Sequence, residues 1–184
     1  MTSLTAGKLS VQYSKFHDRL AHTIGIRIGE SYLPLLESIE GSEEESWPAS
    51  PPMQQMVEEC FAPGAPPVLL GVGLSGNGHW STAVETLDSK RLKFDVACKN
   101  SKNAIWLGSQ YRVLVSLQKF DLSTPNTIFF DLEKVGDCRI EMRLSIGQLG
   151  ILDADQRLQI LPVSEPSERR THRWCYEIGI FEGR

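Results

Sequence analysis

The sequence predicts a mainly β protein, an antiparallel sandwich or partly open barrel with one short helix. Three observations carry that prediction. Apolar and polar residues alternate at period two along several runs, most cleanly in DCRIEMRLSI, where Ile140, Met142, Leu144 and Ile146 share one face and Arg139, Glu141, Arg143 and Ser145 the other. The runs are rich in β-branched and aromatic residues and are bounded by turn residues. About nine or ten of them follow one another at the spacing of a sandwich or barrel, without the long helices of an alternating α/β chain.

Taken in order, the chain opens on MTSLTAGKLS, and residues 1–18 read as a candidate flexible N-terminal segment in which VQYSKFHDRL carries a partial helical spacing at Tyr13, Phe16 and Leu20. HTIGIRI sets Ile24, Ile26 and Ile28 on one side with Arg27 opposite, the pattern of a half-buried strand. SYLPLLESIE continues extended, and Pro34, which cannot donate to a central ladder, marks an edge or a bulge. GSEEESWPASPP is a loop by composition. Behind Ser50 as cap and Pro51 near the first turn, Met53, Met56, Val57, Cys60 and Phe61 fall at i, i+3, i+4, i+7 and i+8, which predicts the one short helix.

After APGAPP the remaining elements read as strands. STAVETL and RLKFDVAC are the arms of a hairpin turning at DSK, with Phe94, Val96 and Cys98 on one face. IWLGSQYRVLVSL aligns Tyr111, Val113, Val115 and Leu117; NTIFFDL follows an STP turn; DADQ turns the chain before RLQILPV. RWCYEIGIF closes it with Trp174, Tyr176, Ile178 and Ile180 in register. With no repeat and no long linker, residues 1–184 read as a single domain.

Composition bounds function. A chain of 184 residues that is 41% hydrophobic and 23% charged is ordinary for a soluble globular protein. Its longest apolar stretch, VLLGV, falls far short of the roughly 20 residues that cross a bilayer, and the N-terminus lacks a secretory h-region, so a cytoplasmic address and no membrane association are expected. A net charge of −4 and a pI of 5.6 argue against nucleic acid as a partner. Cys60, Cys98, Cys138 and Cys175 are scattered without a C-x-x-C pair, which suggests neither a disulfide framework nor a zinc site. Glu37, Glu40, Glu43, Glu44 and Glu45 gather in one region and Arg169, Arg170, His172 and Arg173 in another, clusters that read as solvated loops.

The stretch GVGLSGNGHW, residues 71–80, satisfies G-x-G-x-x-G through Gly71, Gly73 and Gly76 behind an apolar run. A dinucleotide loop of this kind opens a helix whose amides hold a pyrophosphate, with an acid such as Asp95 about 20 residues on. Here Gly78 would weaken the first helical turn, and Thr82, Val84 and Thr86 alternate like a strand. The glycines therefore read as a turn, with Gly76, Asn77 and Gly78 supplying positive φ, and no cofactor is expected. GLSGN lacks the last glycine of a nucleophile elbow, so Ser75 is not read as a nucleophile. His17, His22, His79 and His172, with Asp18 or Asp95, show neither H-x-x-x-H nor H-x-H spacing, so no metal site is expected.

The best ligand-binding candidates are loop residues at one end of the strands: Ser75, Asn77, His79 and Trp80, with Asn100, Lys102, Asn103 and Trp106. Amides and aromatic rings together suit a polar ligand held by stacking and hydrogen bonds. The succession LPLLESIEG, WPASPP, GNGHWSTAVE, FDVAC and LGSQYR resembles a group of uncharacterised bacterial proteins over residues 20–115, which implies a bacterial cytoplasmic protein and no particular activity. The expectation is a non-catalytic interaction or ligand-binding β module. Its rivals are a nucleotide-dependent enzyme using Gly71, Gly73, Gly76 and Asp95, and a structural homo-oligomer joined through an edge strand or apolar strip.

Overall fold

The computed structural model describes residues 1–100, 104–115, 120–121, 126–132, 138–152, 157–163 and 171–182. Fifteen strands run through them: β1 (Thr2–Ala6), β2 (Leu9–Phe16), β3 (Arg19–Ile28), β4 (Ser31–Ser38), β5 (Gln55–Glu59), β6 (Val68–Ser75), β7 (Gly78–Asp88), β8 (Arg91–Asn100), β9 (Ser109–Val113), β10 (Phe120–Asp121), β11 (Thr127–Leu132), β12 (Cys138–Ile146), β13 (Gln148–Leu152), β14 (Arg157–Leu161) and β15 (Thr171–Glu182). They form a sandwich of two antiparallel sheets, ordered β1-β2-β3-β4-β9-β14-β13 and β10-β11-β12-β15-β8-β7-β6-β5, which do not close into a barrel.

The alternation foreseen in the long strands is what the core is made of. Ile140, Met142 and Leu144 of β12, Trp174, Tyr176, Ile178 and Ile180 of β15, and Phe94, Val96 and Cys98 of β8 all face the opposing sheet and are buried. Ile146, expected on the same face, is instead half-buried, because a bulge after Leu144 sets it opposite Cys175 and off the core row. Across the interface stand Leu9, Val11, Ile24, Ile26, Tyr111, Leu158 and Ile160, in the same buried cluster. The hairpin of β7 and β8 turns at Asp88–Arg91 as expected. Leu117, the STP turn and the DADQ turn lie outside the described residues.

Three expectations are corrected. Residues 2–16 form the hairpin of β1 and β2, with Leu4, Ala6, Leu9, Val11 and Tyr13 buried, so this segment is an edge of the sheet, not a flexible tail. The helix expected over residues 53–61 is a loop followed by β5; no helix occurs among the described residues. Its helical spacing is coincidental, because Val57 is 51% and Phe61 72% exposed while Met53 is buried from a non-helical segment. Tertiary context overrides the pattern: β6 has an open backbone edge, which an extended 55–59 pairs and a helix would leave unpaired. The strand count also exceeds the nine or ten expected, because short elements such as β5, β10 and β13 carry too few residues to show alternation.

Pro34 sits in an interior strand between β3 and β9 and marks a bulge, not an edge. Ile24 pairs with Leu36 and Gly25 with Pro34, so Leu35 is the extra residue and the missing proline N–H falls where the ladder is already broken.

Candidate functional site

β6 and β7 are joined by a two-residue hairpin loop, Gly76–Asn77, with Ser75 opposite Gly78. Gly76 has φ +55°, the first central position of a type II′ turn, where glycine is required. Asn77 and Gly78 are not in the left-handed region, which corrects the expectation that all three residues supply positive φ. β7 then pairs along its length with both β6 and β8, so the strand-to-helix transition of a dinucleotide loop is absent from this stretch.

The other glycines make room for the chain itself. Residues 39–54 run as a strap from β4 in one sheet to β5 in the other. A Cβ on Gly73 would lie 1.9 Å from the Pro52 carbonyl oxygen, and one on Gly78 3.0 Å from the Trp47 ring. Both ends of the strap are tied down: the Ile39 amide donates to the Gln110 carbonyl at 3.0 Å, and the Gln54 amide to the Val72 carbonyl at 2.9 Å. Between them the Leu20 amide donates to the Met53 carbonyl at 2.7 Å. Ser50, expected to cap a helix, instead donates its hydroxyl to the Gln110 carbonyl at 2.9 Å, linking strap to β9. The G-x-G-x-x-G pattern is therefore a packing track, with Gly73 against the Pro52 backbone, Gly76 against Ser46 and Gly71 against the Thr82 and Met56 side chains.

The expected ligand-binding residues stand in different environments. Ser75 donates to the Glu45 carbonyl of the strap at 3.2 Å, and the Trp106 indole to the Ala49 carbonyl at 3.3 Å. Trp80 is a core residue, 2% exposed and edge-on to Trp174 at 6.1 Å. Asn77 and His79 are exposed, Asn100 is buried, and Lys102 and Asn103 lie outside the described residues. His79 and Trp80, as neighbours on a strand, face opposite sides of the sheet.

The structure instead gathers polar side chains between the sheets. His22 Nε2 meets the Tyr111 hydroxyl at 2.8 Å, and that hydroxyl meets the Tyr176 hydroxyl at 2.5 Å. The Trp174 indole donates to Ser109 Oγ at 2.9 Å, so the network spans both sheets. Tyr13 at 4.9 Å and Phe94 at 6.2 Å flank the His22 ring. Nearby, Ser38 donates to Glu40 Oε1 at 2.5 Å and Arg19 to the Glu40 carbonyl at 3.2 Å, while Glu40 Oε2 has no partner among the described residues.

Burial sets the protonation of these groups. It lowers His22 to about 3 and raises Cys98 to about 12, leaving a neutral imidazole and an intact thiol at neutral pH. Desolvation likewise raises Tyr13, Tyr111 and Tyr176, so all three phenols stay protonated. Glu40 is raised to about 7 by desolvation, against the lowering pull of the Ser38 hydrogen bond and the Arg19 charge, which poises it to exchange a proton near neutrality. The cavity beside the network, lined by Tyr13, His22, Met53, Thr82, Ser109 and Tyr176 among others, measures about 10 Å³, room for a single water. Among the described residues no three His, Cys, Asp or Glu side chains converge as a metal site would require. The alternation already placed Tyr111 and Tyr176 on core-facing positions; nothing local pointed to His22 or Glu40.

No family model matches the chain, and no curated protein matches it in sequence. Solved structures do resemble it in fold. Heparinase III superposes with a TM-score of 0.56 at 10% identity over 97% of this chain, and heparan sulfate lyase HepC from Pedobacter heparinus with 0.58 at 10% identity over 97%. The chain spans about a third of the length of these lyases, 35% and 36% respectively. At this identity the likeness is one of fold.

Proposed function

We propose that the chain is a non-catalytic β-sandwich module of the bacterial cytoplasm that acts by binding a protein or a small polar ligand at its surface. The observation that carries the reading is the size of the cavity beside the network, which His22 and Tyr176 line and which measures about 10 Å³. A general acid or base must reach its substrate within hydrogen-bonding distance, and this cavity admits nothing larger than water. Desolvation pushes the Cys98 thiol up, away from the thiolate a nucleophile needs. Free cysteines, one of them the exposed Cys60, favour a reducing compartment.

Two incubations of the purified protein test this. Heparan sulfate, sized by chromatography before and after, should keep its length distribution, and NAD or ATP should leave the melting temperature unchanged. Depolymerisation of the polysaccharide, or a nucleotide-dependent rise in melting temperature, would sink the non-catalytic reading.

A second reading, self-association, is favoured by one surface feature. Val57, Leu70, Val72 and Leu74 share the outer face at the β5–β6 edge, and Val57, Val72 and Leu74 are each about half exposed. Light scattering that reports a monomer at high concentration would remove this reading.

A further inference from the structure

We propose that the outer face of the eight-stranded sheet carries, around Gly179, a binding site for a neutral saccharide ring. The proposal rests on the reading of the chain as a binding module and names a ligand class and a place for it. Strand register assembles the site. Phe129, Glu141, Gly179 and Arg91 are opposite one another across β11, β12, β15 and β8, and Arg143 and Glu177 form the next row. Residues aligned across paired strands share a face. Gly179 lies close against the Arg91 side chain and the Phe181 ring in the middle of its row, and a small pit beside it is walled by Arg91, Glu141, Arg143 and Glu177.

Three features make the pit more than a set of surface ion pairs. Glu141 is only 8% exposed although it lies on the outer face. Both of its hydrogen bonds, from Arg143 Nε at 3.1 Å and Nη2 at 2.7 Å, go to Oε1; among the described residues none reaches Oε2, which is left as an acceptor in the pit. Glu177 receives Arg91 Nη1 on Oε2 at 3.3 Å, so carboxylate acceptors and guanidinium donors alternate around the rim as vicinal hydroxyls require. Finally, the Phe181 ring stands 3.1 Å from where a Cβ on Gly179 would be and is 38% exposed, offering an apolar wall to the C–H face of a pyranose. The pit itself holds about 10 Å³, so the ligand lies across it and inserts one hydroxyl.

Charge selects a neutral ligand. Arg91 and Arg143 are already engaged by Asp88, Glu177 and Glu141, and the Arg139 guanidinium lies over the Phe129 ring at 4.9 Å. An anionic sugar would have to displace those carboxylates.

The test is titration calorimetry of the purified chain with maltotriose, cellotriose, xylotriose and mannotriose, and with a heparan sulfate oligosaccharide as the anionic comparison. Saturable binding of at least one neutral trisaccharide is expected, weakened tenfold or more by Glu141→Gln and by Gly179→Ala, whose new Cβ would displace the Arg91 side chain and the Phe181 ring at the rim, and unchanged by Val72→Ser on the distant apolar strip. Should Gly179→Ala fail to fold by circular dichroism, Phe181→Ala takes its place. The proposal is overturned if no neutral trisaccharide binds, if the pit variants bind as the wild type does, or if only the anionic oligosaccharide binds. Any of these leaves the non-catalytic reading intact, since that reading stands on the absence of depolymerisation.

Discussion

Replacing Gly73 with alanine separates a packing track from a phosphate loop. The added Cβ would sit 1.9 Å from the Pro52 carbonyl oxygen and 3.1 Å from Met53 Cα. Ordinary C···O contact begins near 3.4 Å, so the strap must retreat by about 1.5 Å, and backbone cannot swing aside as a side-chain tip can. The retreat strains the Gln54 amide bond to Val72 and the Leu20 amide bond to Met53, 2.9 and 2.7 Å long. Overpacking of this kind costs about 1–3 kcal/mol and each weakened hydrogen bond about 0.5–1.5 kcal/mol, roughly 3 kcal/mol together. For a chain of this size that is a fall of about 6–12 °C in melting temperature.

Differential scanning calorimetry reads the fall, and digestion with a protease that cuts after glutamate reads the strap, which carries Glu40, Glu43, Glu44 and Glu45. The control is Gly29→Ala, where φ is +59° but nothing lies within 4 Å of the new Cβ. It should cost only the left-handed backbone penalty, about 1 kcal/mol, and leave cleavage of the strap unchanged. A Gly73→Ala protein that melts within about 2 °C of wild type and resists the protease equally would refute the track.

Three further outcomes are expected. Glu40, raised from 4.5 to about 7, contributes stability that is present below pH 4.5 and lost as pH rises towards 7; His22, lowered from 6.5 to about 3, contributes stability that is present above pH 6.5 and lost as pH falls towards 3. The two slopes oppose between about pH 4.5 and 6.5, so urea unfolding of Glu40→Gln should show stability rising with pH through that window more steeply than wild type; an identical profile would contradict the role of Glu40. Tyr111→Phe leaves the His22 ring and the Tyr176 hydroxyl without their shared partner, which should cost about 1–3 kcal/mol in urea titration, and a midpoint equal to wild type would mean that the network is not sealed from water. Iodoacetamide at pH 8, followed by peptide mass spectrometry, should label Cys60 in the native protein and spare the buried Cys98, Cys138 and Cys175; rapid labelling of Cys98 would contradict its enclosure.

Much of the sandwich was legible because strand burial has a local signature. In β8, in β15 and in β12 as far as Leu144 each residue's facing follows from its parity, so DCRIEMRLSI and RWCYEIGIF announced their core faces before any partner was known; the bulge that turns Ile146 away after Leu144 left no such mark. Glycine parity was informative too, since Thr82 and Val84 behind the glycines already spoke for a strand. What parity cannot tell is whether an element stands alone or pairs. Residues 53–61 carried a helical spacing that the vacant edge of β6 overrode, and residues 2–16 were too short in each run to announce a hairpin.

The sequence by itself determined the fold class and the inward face of the long strands, because alternation is written between neighbours two residues apart. Only the tertiary structure decided where the polar groups meet. His22 finds Tyr111 at a separation of 89 residues, Tyr111 finds Tyr176 at 65, and Ser50 finds Gln110 at 60. The outer-face pit likewise exists only because three strands distant in sequence share a register around Gly179. Such meetings depend on strand order and sheet stacking, which no local pattern encodes, and burial at those meeting points then sets the protonation of His22, Tyr111 and Tyr176.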